Sequence, residues 1–157
     1  KYSLDNSNIN DALFDILKNQ VADDYKYILL AQPTNPFINK KIIDKLLTKI
    51  EKSKFNSVQT IVETPHIYHP INQRYINKDE VFFINKKIRK KFFNKQKKNK
   101  SFSFGNLVVF KKKEFLTQKN VFCEPSGYEI IDKFNGLDID FKDDLILANL
   151  IARNLNI

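Results

Sequence analysis

The sequence is poor in several residue types that particular kinds of site require. Its 157 residues include three glycines, one cysteine, two histidines and no methionine or tryptophan. So few glycines exclude a glycine-rich phosphate-binding loop within this stretch, and one cysteine with two histidines excludes a disulfide framework and a Cys/His zinc site. Because methionine is absent, we expect the chain to be processed or to be a piece of something longer.

Long apolar runs are missing as well. Residues 1–10 are polar and lack the apolar centre of a signal peptide, and the longest apolar run, Tyr27 to Ala31, is too short to cross a bilayer. A single cysteine, Cys123, is typical of a reducing compartment. We therefore expect a cytoplasmic protein with no membrane partner. Its 42% hydrophobic content is enough for the core of one domain.

Positive charge is abundant but unevenly distributed. The net charge is +9, yet the segment from Val81 to Lys113 contains twelve Lys and Arg and no acid, so the rest of the chain carries −3. A basic segment on a slightly acidic body predicts an anionic partner, which can be a nucleic acid, a nucleotide or an acidic sugar. The alternative is a solvated basic arm encoded by a lysine-rich genome, since 24 of the 27 basic residues are lysines.

Four phenylalanines are interleaved with these charges and are candidates for stacking on single-stranded bases. Their paired, strand-like spacing is more typical of core residues, and no nucleic-acid recognition motif accompanies them. A nucleic acid is therefore the less favoured partner. The phenylalanines are Phe92, Phe93, Phe102 and Phe104.

Apolar periodicity predicts an α/β protein. Helical spacing is found in four segments, which are 8–20, 39–52, 112–118 and 142–155. Strand-length apolar or β-branched runs lie at 25–32, 57–63, 80–85, 106–110, 128–131 and 137–141. This alternation predicts a three-layer α/β domain with a largely parallel sheet and a β-rich insertion over about 64–103.

A pair of carboxylates, Asp138 and Asp140, is the sharpest local feature of the sequence. At the end of a strand, residues two apart face the same side, so both carboxylates could reach one cation. Oxygen ligands of this kind suit Mg²⁺. The alternative is that Asp140 caps the last helix, with Asp143 and Asp144 in its first turn.

A polar turn with two prolines, residues 32–36, directly follows a buried strand. Ligands of open α/β sheets bind beyond the carboxyl ends of strands, which makes Gln32, Thr34 and Asn35 candidate binding residues. The alternative is a plain turn whose side chains bond to its own backbone. His66 and His69 lie in another loop, where hydrogen bonding is a more natural role than zinc binding.

In order along the chain, these pieces resemble the acylneuraminate (sialic acid) cytidylyltransferases and their legionaminate and pseudaminate relatives. The stretch Tyr27-Ile-Leu-Leu-Ala-Gln-Pro-Thr-Asn-Pro-Phe37 resembles the family's "LLQPTSPLR", and Glu63-Thr-Pro-His66 with Pro70 resembles its "PH…P" loop. Lys95-Gln96 followed by Phe102 to Phe110 resembles "RRQ…Y..NGAIYI", and Tyr128-Glu-Ile through Leu137-Asp-Ile-Asp-Phe141 and Asp144-Leu resembles "Y.iP…siDID…D…A". The resemblance covers about residues 8 to 155.

The resemblance implies a Rossmann-like nucleotidyltransferase fold with a dimerisation insertion, here residues 64–103, in a homodimer. It implies a reaction that joins CTP to a nonulosonic sugar acid and releases pyrophosphate. It also assigns Asp138 and Asp140 as catalytic Mg²⁺ ligands. The implied substrate-binding residues are Gln32, Thr34, Asn35, Lys95, Gln96 and Asn106.

Some family features are changed or missing. The family's "NG" is reversed here as Gly105-Asn106, which would displace the asparagine that contacts the sugar, and two family arginines are replaced by Ile38 and Lys95. The opening "IPARGGSKGIPRKN" segment, which cradles the CTP phosphates, has no counterpart. We therefore expect an N-terminally incomplete domain, its C-terminal two-thirds, that does not turn over alone. The alternatives are a Kdo-type cytidylyltransferase and a non-catalytic basic module that binds nucleic acid.

Overall fold

Helices and strands alternate along most of the chain. The structure is a computed structural model that describes residues 8–19, 25–92 and 99–155. Two short 3₁₀ turns, His66–Tyr68 and Pro70–Asn72, precede the third strand. The elements in chain order are α1 (Ile9–Asn19), β1 (Tyr27–Ala31), α2 (Lys40–Lys52), β2 (Ser57–Glu63), β3 (Arg74–Asn77), β4 (Glu80–Phe83), α3 (Lys86–Lys91), β5 (Phe102–Lys111), α4 (Lys112–Gln118), β6 (Ser126–Ile131) and α5 (Lys142–Leu155).

The chain divides into two units. The larger unit, which we call the body, comprises residues 1–61 and 104–157, and the smaller unit, which we call the insert, comprises residues 62–103. The predicted insertion, 64–103, has nearly the same bounds. Its assignment to dimerisation stays a prediction.

The main sheet contains four strands in the order β1-β5-β2-β6. β5 is antiparallel to β1. It is also antiparallel to β2, because Lys111 N donates to Asn56 O at one end of the pair and Thr64 N to Ser101 O at the other. Asn56 N also donates to Pro125 O, which joins the beginnings of β2 and β6. Three strands therefore run in one direction and β5 runs in the other. Because β5 lies between β1 and β2, two of the three neighbouring pairs are antiparallel and only β2 and β6 are parallel, so the sheet is mixed rather than largely parallel as predicted.

The core of the body is built around β5, whose side chains alternate between the two faces of the sheet. Val108 and Phe110 point into a cluster with Phe115 of α4 and with apolar residues of α1. Leu107 and Val109, on the opposite face, are also completely buried. Because both faces are covered, the molecule has the layered α/β architecture that the sequence predicts.

The amphipathic helix α2 illustrates why the periodicity was informative. Ile42, Leu46 and Ile50 are four residues apart, share one face and are all buried. The helix begins after Asn39, whose side-chain oxygen accepts a hydrogen bond from Ile42 N at 3.1 Å. A side-chain acceptor at this position satisfies a donor that the first turn of a helix leaves free.

The insert consists of a β-hairpin, a short helix and the two 3₁₀ turns. β3 and β4 pair antiparallel, with Ile76 opposite Val81, and the connecting turn places Lys78 in the left-handed region with φ of 52°. Arg74 and Arg89 both lie over the ring of Phe83, at 4.4 and 4.0 Å from its centroid. Among the described residues of the insert, only Val62 is buried.

Some predicted elements differ from the observed ones. The strand predicted at 137–141 is wrong, because residues 137–140 have no regular secondary structure. Strand β5 begins at Phe102 rather than 106, and the basic segment contains helix α3, which the periodicity did not predict. Within the described ranges, no helix combines the length and the apolarity needed to cross a membrane.

Candidate functional site

The polar turn beyond β1, residues 32–37, is held by backbone hydrogen bonds. Pro33 and Pro36 have no N–H to donate, so the strand cannot continue. Gln32 N donates to Asn106 O at 3.1 Å, and Asn35 N donates back to Gln32 O at 3.2 Å. The turn thereby folds over the adjacent part of β5. It leaves the side chain of Gln32 exposed and Thr34 half-buried.

Asn35 lies inside this turn and is only 6% exposed. Its Nδ2 donates to Gly105 O at 3.3 Å, and its Oδ1 accepts from Phe37 N, also at 3.3 Å. Both ends of the side-chain amide are thus used within the protein. The alternative of a turn with self-satisfied side chains describes Asn35 well, and does not describe the exposed Gln32.

The reversed pair Gly105-Asn106 has a clear structural reason. A Cβ at position 105 would lie 2.7 Å from Thr60 Oγ1 and 3.0 Å from Ile131 Cδ1, so only glycine fits there. Asn106 has φ of 64°, a left-handed conformation that asparagine tolerates better than most residues. The order Gly-Asn therefore suits this strand, and it leaves Asn106 6% exposed beside the turn.

Thr60, in the neighbouring strand β2, forms hydrogen bonds to the same part of β5. Its hydroxyl donates to Leu107 O at 3.1 Å and accepts from Leu107 N at 3.2 Å. A threonine that serves both backbone groups compensates for the left-handed residue beside them. This contribution could not be predicted from the sequence, because a lone threonine in a β-branched strand carries no distinguishing signal.

The loop that carries the two carboxylates is joined to the turn directly. Ile139 N donates to Thr34 O at 3.0 Å. Nearby, the ring of Phe37 stacks on that of Phe134 with centroids 4.3 Å apart, which packs the turn against the segment leading into the loop. The structure therefore brings Asp138 and Asp140 to the turn, although they lie in a loop rather than at the end of a strand.

The two carboxylates have different surroundings. Asp138 is half-buried, and its Oδ1 is buried without a hydrogen-bond partner among the described residues. Asp140 is exposed. A buried carboxylate oxygen with no donor is costly, and bonding to a cation offsets that cost. Asp138 is thus the better placed of the two to hold a positive charge.

The cap of α5 is provided by Asp144 rather than by Asp140. Asp144 Oδ2 accepts from Asp140 N at 3.2 Å and from Phe141 N at 2.8 Å. A carboxylate in the first helical turn that bonds back to preceding N–H groups is a known capping arrangement. This leaves the side chain of Asp140 available and fixes the backbone of the loop that carries it.

The residues fit a magnesium ion of the kind that substrate phosphates share. Asp138 and Asp140 offer carboxylate oxygens, the ligand type that Mg²⁺ prefers, and Mg²⁺ usually takes one or two carboxylates together with phosphate oxygens and waters. In the described ranges no group of three or more His, Cys, Asp or Glu residues could hold a metal ion. The protein side of such a site would therefore consist of this pair.

Six of the eight site residues predicted from the sequence lie in the described part of the chain. Hydrogen bonds or short chain links connect all six around the turn. They are Gln32, Thr34, Asn35, Asn106, Asp138 and Asp140. The remaining two, Lys95 and Gln96, fall outside the described residues.

The two histidines belong to the insert. Nδ1 of His69 accepts from Ile71 N at 3.2 Å, and its Nε2 lies 3.0 Å from Asn99 O. His69 is thus hydrogen-bonded on both ring nitrogens, as expected for a structural loop histidine. The basic segment is also partly used internally, since Lys100 pairs with Glu63 at 2.8 Å.

Comparison with known proteins shows the fold and leaves the family open. No protein-family model and no curated protein matches the sequence. Among solved structures, the chain is similar to the crystal structure of 4-diphosphocytidyl-2C-methyl-D-erythritol synthase from Anaerococcus prevotii DSM 20548, with a TM-score of 0.61 and 14% identity. The match covers 94% of this chain and 67% of that chain. The chain therefore has a cytidylyltransferase-like α/β fold, as the sequence predicts.

Proposed function

We propose that this chain is part of a CTP-dependent cytidylyltransferase that activates a nonulosonic, sialic-acid-like sugar to its CMP-sugar and releases pyrophosphate. The observation that carries the proposal is the hydrogen bond from Ile139 N to Thr34 O, which joins the polar turn to the carboxylate loop. The two motifs are about a hundred residues apart, yet they meet beyond the carboxyl end of β1, where open α/β sheets bind ligands. The fold, together with the name of the structural neighbour as a diphosphocytidyl synthase, supports the cytidylyl chemistry.

In this reaction the anomeric hydroxyl of the sugar attacks the α-phosphorus of CTP, and the bond to pyrophosphate breaks. The main physical difficulty is the negative charge of the triphosphate and the sugar carboxylate. The exposed amide of Gln32 and the half-buried hydroxyl of Thr34 would bind and orient the sugar acid. Asn106 is only 6% exposed, so its part would be to accept the hydrogen bond from Gln32 N and hold this surface rather than to contact the sugar. Lys95 and Gln96 remain candidates for the anionic side of the substrates.

Asp138 and Asp140 would hold Mg²⁺. When bound, this ion neutralises phosphate charge and helps to align the attack. The protein's own contribution is to fix the carboxylates. The bond to Thr34 O places Ile139, and the bonds accepted by Asp144 hold the backbone at Asp140.

The test is a substrate panel with the protein at its natural length. Pyrophosphate release would be measured with CTP, Mg²⁺ and, in turn, N-acetylneuraminic, legionaminic and pseudaminic acids and Kdo. We expect turnover with one of the nine-carbon acids. Turnover with Kdo alone would overturn the proposed substrate class, and no turnover with any of the four acids would overturn the proposed activation of a sugar acid.

Asp138→Asn tests the assigned carboxylate in the same assay. Removing a charge that stabilises the reacting phosphates should lower kcat by about 10²-fold or more. The matched control is Asp143→Asn, because Asp143 is exposed in the first turn of α5 and has no part in the proposed site. Full activity of Asp138→Asn at limiting Mg²⁺ would show that Asp138 does not hold the ion.

A further inference from the structure

The geometry points to Asn35 as a positioning residue. It fixes the position of the carboxylate loop relative to the substrate-facing turn and does not contact substrate. This role rests on the proposed function for its effect on turnover, but the structural part of it can be measured independently. The sequence placed Asn35 among the substrate contacts. Its surroundings favour a different use of the same side chain.

The side chain of Asn35 is buried. Asn35 is 6% exposed, so it offers almost no surface to a ligand. Its Nδ2 donates to Gly105 O and its Oδ1 accepts from Phe37 N. A buried amide whose two ends are engaged is stabilising where it is, and breaking either bond leaves a buried polar group without a partner.

The partners of Asn35 belong to segments that carry the other site residues. Gly105 immediately precedes Asn106, whose carbonyl accepts from Gln32 N at 3.1 Å. Phe37 stacks on Phe134, in the segment that leads to the carboxylate loop. The amide of Asn35 therefore links Gly105 of β5 to Phe37 at the far end of the turn.

The carboxylate loop depends on the same turn. A backbone hydrogen bond from Ile139 N to Thr34 O joins the loop to the turn, and Thr34 directly precedes Asn35. A change in the turn at Asn35 therefore moves the acceptor on which Ile139 depends. Asp138 and Asp140 lie on either side of Ile139, so their positions follow.

The side-chain amide of Asn35 has one donor end and one acceptor end in use, so substitutions that keep one end and lose the other test the positioning role. Aspartate at position 35 keeps the acceptor for Phe37 N, but it replaces the donor to Gly105 O with an anionic oxygen facing a carbonyl. Serine is shorter and can make one of the two bonds. We therefore expect Asn35→Asp to disturb the turn more than Asn35→Ser, although aspartate is closer to asparagine in shape.

The experiment combines hydrogen exchange with steady-state kinetics. In Asn35→Asp, the amide protons of Gln32 and Ile139 should exchange about 10-fold faster, and kcat for CMP-sugar formation should fall about 10-fold or more. For Asn35→Ser, both the exchange rates and kcat should lie between the values of the unchanged chain and those of Asn35→Asp. The exchange measurement requires no substrate, so it tests the positioning role even if the proposed reaction fails.

Asn56→Ala is the matched control. Asn56 is also an asparagine of the body with two side-chain bonds, to Glu124 O at 2.7 Å and from Lys111 Nζ at 3.2 Å, and none of these residues belongs to the turn or the carboxylate loop. It should lower the melting temperature without changing exchange at Ile139, kcat or KM. If Asn35→Asp leaves exchange at Gln32 and Ile139 unchanged, or if Asn56→Ala reproduces its kinetic effect, the positioning role is wrong. A rise in the sugar-acid KM with unchanged exchange would instead indicate direct substrate contact.

Discussion

The body has a buried apolar core, and the described part of the insert does not. In the body, Leu107 to Phe110 of β5 are completely buried on both faces of the sheet. In the insert, every residue of β3 is exposed, and Ile76 is 76% exposed. The body also exposes large apolar residues, such as Leu145 and Leu150 of α5, so the difference lies in the buried core, which the described part of the insert lacks.

The size of the insert explains part of this difference. A unit of about 40 residues buries too small a fraction of its surface to form a substantial core. Local contacts take its place, such as the stacking of Tyr75 on Phe82 with ring centroids 5.5 Å apart. Exposed apolar surface of this kind marks interaction sites more often than it stabilises a monomer.

The largest expected effect comes from breaking the body's core. Phe110→Ala removes a fully buried ring that packs on Phe115, with centroids 5.0 Å apart, and should lower the free energy of unfolding by about 3–5 kcal/mol. Ile76→Ala in the insert should change it by less than about 0.5 kcal/mol. Denaturant unfolding of both variants measures the contrast, and similar losses for the two would refute it.

A charged substitution in the insert is expected to have a smaller effect on stability and a clear effect on the association of two copies of the chain. Ile76 and Val81 are cross-strand partners on the hairpin, and both are exposed. If this surface joins two copies, as the predicted homodimer requires, Ile76→Asp should weaken association by about 10-fold or more, because a charge would be buried in an apolar contact.

Sedimentation over a range of concentrations measures this shift. Asn77→Asp is the control, because it adds the same charge at the next hairpin position, whose side chain points to the other face of the strand. Equal dissociation constants for Ile76→Asp and the unchanged chain would mean that the apolar surface of the hairpin is not the dimer contact.

The same contrast explains what could be predicted from the sequence. The sequence predicts helix α2 and strand β2 to within a residue, because burial imposes a period on their apolar residues. Helix α5 has the predicted bounds as well, although Ala148 is its one buried residue. The hairpin was half missed, since β3 buries nothing and its turn uses Lys78 in place of the usual glycine. Helix α3 carries five basic residues and a single apolar one, so it shows no apolar stripe.

The site itself was predicted in part. Its residue types were recognisable because amide and carboxylate groups clustered just after predicted strands. Their arrangement was not, since it depends on contacts between distant residues, such as Ile139 N with Thr34 O. Asp144, and not Asp140, caps α5, and this choice follows from the path of the loop rather than from composition.

The smallest expected effect concerns Cys123, which lies in the core of the body. Burial raises the pKa of the Cys123 thiol from 9.0 to about 11, with a smaller upward contribution from the charge of Glu114. The unfolded chain therefore loses this proton at lower pH than the folded one. The contribution to stability is complete below pH 9 and is lost as the pH rises toward 11. Unfolding free energies at pH 8 and pH 10 should differ more for the unchanged chain than for Cys123→Ala, which removes this titration and keeps all others.

The native thiol should also react slowly with a disulfide reagent at pH 8 and quickly in denaturant, because only the thiolate attacks and the side chain is completely buried. Fast reaction in the native state would show that the core around Cys123 opens readily.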